Sequence, residues 1–129
     1  MAKVVQGFGY TKEHEWVEVI SATQVRFGIT DYAQAALGDI VFVTLPADGS
    51  DLSSGEACGE VESTKSVSDI YAPVDGRVLE VNSVVETNPD ILNSDPYGKG
   101  WIAVVEVADA NAAVANLMSA DDYEAETLD

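Results

Sequence analysis

Between Gly59 and Gly76 two runs of strand formers stand on either side of a polar tetrapeptide, Ser63-Thr64-Lys65-Ser66, and no other segment constrains the fold as much. Gly55 to Ser63 and Val67 to Tyr71 are predicted as the two arms of a strand–turn–strand unit, because branched and aromatic residues bounded by small polar ones favour strands. Lys65, one of four lysines in the chain, then sits at the tip of a hairpin. An amine so placed is suited to acylation by a cofactor that must swing between enzymes. By default, a lysine on a hairpin is only a solvated charge. Schiff-base chemistry would need a desolvated amine or a neighbouring cation. Lys65 has Glu62 and Asp69 close in sequence instead, and no Gly-rich phosphate loop accompanies it. The segment argues against an enzyme active centre.

The remaining pattern is many short strands punctuated by Gly and Pro, which favours a sandwich or flattened barrel. Strands are predicted at Trp16–Ile20, Gln24–Ile29, Asp39–Leu45, Arg77–Val81 and Trp101–Val107. Thr30 or Asp31 can cap a short helix through Leu37, and Gly38 suits its left-handed stop. Ala47–Asp51 reads as a loop, as does Glu86–Gly100, with a possible helical turn near Asp90–Leu92. Asp109 can cap a helix from Ala110 to about Met118, with Val114, Leu117 and Met118 on one face. Ser119 resembles a second cap before an acidic tail helix. The expectation is one domain over residues 1–129, with a core at about 10–118 and a tail helix at 119–129. Gly38–Val43 and Gly76–Val81 share a Gly followed by a strand, a faint trace of two related halves.

Six basic residues against 23 acidic ones leave a net charge of −17. Nucleic acid is an unsuitable partner, since phosphate binding needs clustered Lys and Arg. Partners with basic faces are favoured. Cys58 is the only cysteine and His14 the only histidine, so no internal disulfide forms and a metal site has almost nothing to build on. No apolar run approaches the ~20 residues of a membrane span, and residues 1–7 show neither a signal-peptide core nor an Arg-rich transit segment. A cytoplasmic protein is expected, or a mitochondrial one if a leader has been removed.

The sequence from Gly59 to Gly76, GEVESTKSVSDIYAPVDG, resembles the lipoylation hairpin of the glycine cleavage system H protein family. Three further blocks resemble that family in its order: Tyr10–Val17, Gly28–Gln34 with Leu37–Val43, and Leu92–Ile102. Together they span almost the whole chain, whereas a generic biotinyl or lipoyl domain would share only the hairpin. The resemblance implies an all-β barrel-sandwich hybrid of two antiparallel sheets with minor helices, a lipoyl-lysine hairpin and a C-terminal helix. It implies (R)-lipoate joined by an amide to Lys65, and a non-enzymatic shuttle. A pyridoxal-phosphate glycine decarboxylase would load an aminomethyl group. A tetrahydrofolate-dependent aminomethyltransferase would remove it, and an FAD dihydrolipoyl dehydrogenase would reoxidise the dithiol. A lipoate ligase or a lipoyl/octanoyl transferase would attach the cofactor. Thr64 and Val67 depart from residues common in the family and should modulate that attachment.

An aminomethyl cargo is an amine, and holding it calls for an acceptor carboxylate. Glu15 and Asp69 are the candidates within the resembling motifs, against the alternative that both are plain surface charge. His14 reads either as a pH-sensitive contact or as a polar residue hydrogen-bonded at the strand start. Trp16 and Trp101 are expected in the core. Pro73 and Gly76 are expected to shape the end of the hairpin arm, and Asn93, Tyr97 and Gly98 to hold the long loop. Other functions weighed are a lipoate relay or depot, a biotin carrier, and an unmodified acidic interaction module. Biotin carriage calls for Met on both sides of the lysine, where Thr64 and Ser66 stand. A monomer is expected, because a shuttle must offer its arm to several partners.

Overall fold

The computed structural model describes residues 3–127. Nine strands make two antiparallel sheets. The larger contains β1 (Gly9–Tyr10), β2 (Glu15–Ser21), β3 (Gln24–Ile29), β5 (Asp51–Leu52), β8 (Gly76–Val81) and β9 (Ala103–Glu106), in the order β1-β2-β3-β9-β8-β5. The smaller contains β4 (Ile40–Thr44), β6 (Ala57–Ser63) and β7 (Val67–Tyr71), in the order β4-β6-β7. The expected two-sheet sandwich is the fold observed. The two arms around Lys65 are β6 and β7, paired from Ala57↔Tyr71 to Glu62↔Val67.

The alternation read in β3 is the reason it faces two ways. Val25, Phe27 and Ile29 are buried, while Arg26 points out and its guanidinium lies 2.8 Å from Glu18 across the strand pair. Val17, Val43, Val61, Ile70, Val78 and Val105 join the same cluster from both sheets. Each such side chain gains roughly 1.5–3 kcal/mol on leaving water. A second cluster holds Tyr10, Trp16, Ala120 and Tyr123, with the Tyr10 and Tyr123 rings stacked 4.7 Å apart. Trp16 is fully buried, and its indole N–H donates to the Pro96 carbonyl at 2.9 Å. Trp101 is only half-buried: it packs on the edge of the aromatic cluster, with the Arg26 guanidinium 5.8 Å from its ring centre.

Helix α1 (Asp31–Leu37) starts at Thr30, whose hydroxyl accepts from Ala33 N, and stops at Gly38 with φ +83°. The long loop is more structured than its sequence suggests. It holds α2 (Val84–Thr87) and α3 (Ile91–Ser94), one turn each, with Val85 and Leu92 buried. The segment predicted as the 47–51 loop ends in β5, which pairs with β8. Helix α4 (Ala110–Ala115) is shorter than predicted. Met118 leaves the helical path because its backbone N and O both bond to Tyr10, at 3.0 and 2.9 Å. Val114 and Leu117 therefore pack on the main core and Met118 on the aromatic cluster. The tail helix is α5 (Ala120–Glu126), capped by the Ser119 hydroxyl. Residues 128 and 129 of the predicted tail lie outside the described residues.

Gly76 does not shape the hairpin arm. It opens β8 opposite Leu52, where a Cβ would lie 2.3 Å from the Glu106 carbonyl oxygen and 2.5 Å from Val105 Cγ1. Gly76→Ala must therefore push β8 off β9 and should cost about 2 kcal/mol. Urea denaturation checks this, and an unchanged midpoint would show that the two strands give way freely.

Candidate functional site

The hairpin tip is built from its own side chains. Ser63 is buried, and its hydroxyl oxygen accepts the backbone N–H groups of Lys65 and Ser66, each at 3.1 Å. The Ser63 N–H donates to the Ser66 carbonyl at 2.8 Å, which closes the turn. Thr64 N donates to the Asp39 carbonyl at 3.0 Å and ties the tip to the start of β4. Ser63 is a positioning residue that the sequence analysis passed over. The available signal was a serine two and three positions before the amides it accepts, the pattern of a hydroxyl-closed turn.

Asn93 supports the ground on which the tip stands. Its amide nitrogen donates to the Gly38 carbonyl at 2.9 Å and to Gln34 Oε1 at 3.0 Å, and its oxygen accepts from Ile40 N at 3.0 Å. It thus fastens α3 to the α1–β4 junction as well as holding its own loop. Lys65 lies over that junction. Its Nζ donates to the Ala36 carbonyl at 3.3 Å, and a Cβ on Gly38 would come within 3.2 Å of Lys65 Cε. Gly38 serves here both as the left-handed helix stop and as clearance for the lysine stem. The Lys65 side chain is exposed and forms no ion pair among the described residues.

The two candidate carboxylates have opposite environments. Asp69 is exposed on β7, opposite Glu60. Glu15 is 1% exposed, at the start of β2. Its carboxylate accepts from the Thr11 hydroxyl at 2.5 Å and from Tyr71 N at 3.3 Å. No cation pairs with it among the described residues. Burial pushes the Glu15 carboxyl up to about 7, against the opposing hydrogen bonds from Thr11 and Tyr71. From Val67 beside the tip, Asp69 is roughly 7 Å and Tyr71 roughly 13 Å along β7. Lys65, Asp69 and the Glu15–Tyr71 contact therefore follow one another along a single strand. Beyond Tyr71 a cleft of about 260 Å³ is lined by Thr11, Glu13, Ala72 and Pro73.

His14 is held in a polar and aromatic setting. Its backbone is left-handed (φ 71°), its Nδ1 lies 2.7 Å from the Tyr123 hydroxyl, and its ring packs on Tyr32 at 4.6 Å. The Tyr123 hydroxyl also lies 2.8 Å from Thr30 Oγ1. Burial lowers the imidazole below its usual range, opposed by Glu13 and Glu126. His14 is thus the hydrogen-bonded residue at the strand start. Cys58 is half-buried, and burial pushes its thiol up to about 11, so little thiolate is available. Among the described residues no group of three His, Cys, Asp or Glu side chains is placed to hold a metal ion, and no helix is long and apolar enough to cross a membrane.

The class is a two-sheet β-sandwich with an exposed lysine, Lys65, at the tip of its β6–β7 hairpin. Comparison with known proteins gives the family. Residues 8–129 match the sequence profile described as Glycine cleavage H-protein, and the chain belongs to that family. It is 53% identical over 121 residues to the glycine cleavage system H protein of Coprothermobacter proteolyticus, covering 94% of each chain. It is 52% identical over 131 residues to that of Mycolicibacterium vanbaalenii, covering both chains fully. The crystal structure of a glycine cleavage system H protein from Mycobacterium marinum superimposes with a TM-score of 0.86 at 43% identity, covering 95% of this chain and 98% of that one.

The buried Glu15 carboxyl has a stability signature. Its ordinary value of 4.5 is raised to about 7 in the fold. Between those values the folded chain keeps a proton that the unfolded chain has released. Its contribution is therefore fully present below pH 4.5 and is lost as pH rises to about 7, a fall of about 3 kcal/mol. Glu15→Gln keeps both contacts, with Oε1 accepting from Tyr71 N and Nε2 donating to Thr11 Oγ1. Urea unfolding from pH 4.5 to 8 should show the variant gaining on the wild type by about that amount. Parallel curves would mean that Glu15 is already ionised in the fold.

Proposed function

We propose that the chain is the lipoyl-carrying shuttle of the glycine cleavage system, a single monomeric carrier unit of the cytoplasm, with lipoate joined by an amide to Lys65 Nζ. The observation that carries this is the tip: an exposed lysine whose backbone, with that of its two neighbours, is fixed by the Ser63 hydroxyl and the Asp39 carbonyl. Of the other lysines, Lys3 precedes the strands, Lys12 is exposed in the turn between the two-residue β1 and β2, and Lys99 lies in a Gly-rich loop, so among the described residues Lys65 is the lysine on a hairpin with two full arms. Lipoate fits the site, because Nζ is accessible and its stem already has clearance over Gly38.

Once attached, the cofactor supplies a redox-active disulfide whose sulfur can carry an aminomethyl group and afterwards be reoxidised. Chemistry at that sulfur belongs to partners: the pyridoxal-phosphate glycine decarboxylase, the tetrahydrofolate-dependent aminomethyltransferase and the FAD dihydrolipoyl dehydrogenase. The chain's own residues present, hold and shield. Lys65 sets the pivot. Asp69 lies on the way along β7, and Glu15 waits at the strand's base as a buried carboxyl without a cation. A protonated amine brought to Glu15 would supply the missing countercharge and favour its ionised form. A hydrogen bond to a charged group is worth about 1.5–3 kcal/mol, enough to move an arm from mostly free to mostly docked.

Lys65→Arg keeps the charge and the clearance but removes the acylatable amine. Lipoyl labelling and reconstituted glycine decarboxylation should fall to background with the thermal midpoint unchanged, and persistent labelling would place the cofactor elsewhere. Glu15→Ala should leave labelling of Lys65 intact while spontaneous loss of the aminomethyl cargo, with no transferase present, speeds up several-fold, about ten-fold for 1.4 kcal/mol. Asp69→Ala should act in the same direction. Wild-type decay in both variants would remove these carboxylates from the site.

A further inference from the structure

We propose that the outer face of the three-stranded sheet is the docking surface for the enzyme that acylates Lys65; this rests on the carrier function proposed above. Among the described residues Phe42 and Val67 are the two most exposed large hydrophobic side chains, at 57% and 58%, and Val41 follows at 50%. Phe42 stands opposite Glu62, and Glu62 opposite Val67, so the three form one row across β4, β6 and β7. Directly opposed residues point to the same face of a sheet. The next row is Thr44, Glu60 and Asp69, all exposed. The sandwich does not need this apolar row for its own core, which takes Val43, Val61 and Ile70 from the same strands.

Apolar anchors beside Glu60, Glu62 and Asp69 fit a partner with an apolar socket rimmed by Arg and Lys. The row's place in the fold selects which partner. Lys65 Nζ lies 3.3 Å from the Ala36 carbonyl, close to the body of the protein. An enzyme that acylates it must bring the reacting carbon to Nζ itself, so its surface closes over the strands beside the tip. Enzymes working at the far end of the arm have no such obligation. In the transfer the Nζ ammonium gives up a proton to solvent, its lone pair forms a bond to the carbonyl carbon of an acyl adenylate, and the nitrogen releases a second proton to solvent as the adduct collapses to the amide. The bond from that carbon to the phosphate oxygen breaks, and AMP leaves with the electron pair.

The test uses the full chain, a purified lipoate ligase, lipoate and ATP, with intact mass as the readout. Phe42→Ser/Val67→Ser should lower kcat/KM for acylation by at least about ten-fold, through KM with kcat unchanged. Phe42→Leu should restore most of the loss, and Leu79→Ser, on β8 of the other sheet, should have no effect. Labelling of Lys65 by a small acetyl N-hydroxysuccinimide ester should proceed at the wild-type rate in every variant, since the amine and the fold are untouched. A wild-type KM in the double variant overturns the proposal. So does a defect confined to the glycine decarboxylase assay, or a wild-type dimer that the double variant dissolves, because the face would then serve another partner or a second copy. A wild-type chain that accepts no acyl group overturns the carrier function itself, and that outcome needs no variant to be seen.

Discussion

The Ser63 hydroxyl is the interaction on which the turn carrying Lys65 is built. A strand–turn–strand reverses the chain at the cost of backbone amides that have no ladder partner. Here a buried side-chain oxygen takes the amides of both Lys65 and Ser66, so the turn closes without a glycine and the lysine stem leaves it in a set direction. Asp39 anchors the tip to β4, and Asn93 anchors the start of β4 to α1 and α3. Helix α3 thereby supports the ground beneath the tip, because it carries Asn93. The two sheets contribute the rigidity. Val61 and Ile70 root the hairpin in the core, while β7 is otherwise held by its ladder with β6 and the tip at Thr64–Ser66 is exposed.

A second constraint is electrostatic. A chain of net charge −17 can leave most of its carboxylates in water, yet it buries Glu15 with no cation beside it among the described residues. The burden is eased by Thr11 and Tyr71, and by a raised affinity for a proton near neutrality. The carboxyl thus rests on two neutral donors and, among the described residues, on no cation. Perturbed carboxyls of this kind cluster at functional sites because structure alone gains little from them. The same β7 that starts beside Lys65 ends at Tyr71, whose N–H donates to this group.

Much of this was legible in the sequence because the signals are local. Thr30, Asp109 and Ser119 announce helix starts through their own side chains, and Gly38 announces a stop. The hairpin and its lysine follow from alternation and composition. What escaped depends on distant partners. Strands β1 and β5 have two residues each and exist only because β2 and β8 pair with them. Met118 cuts α4 short through a bond to Tyr10, a hundred positions away in the chain. Gly76 is required by the Glu106 backbone, not by the hairpin it follows. The burial of Glu15 had no sequence signal, since a glutamate in an acidic chain is expected in water.

The most direct measurement is peptide mapping by tandem mass spectrometry of the full chain purified from lipoate-competent cells. Lipoyl mass on the peptide containing Lys65, with Lys3, Lys12 and Lys99 unmodified, is the predicted result. Lipoate on another lysine, or on none while a control carrier from the same cells is loaded, would contradict it.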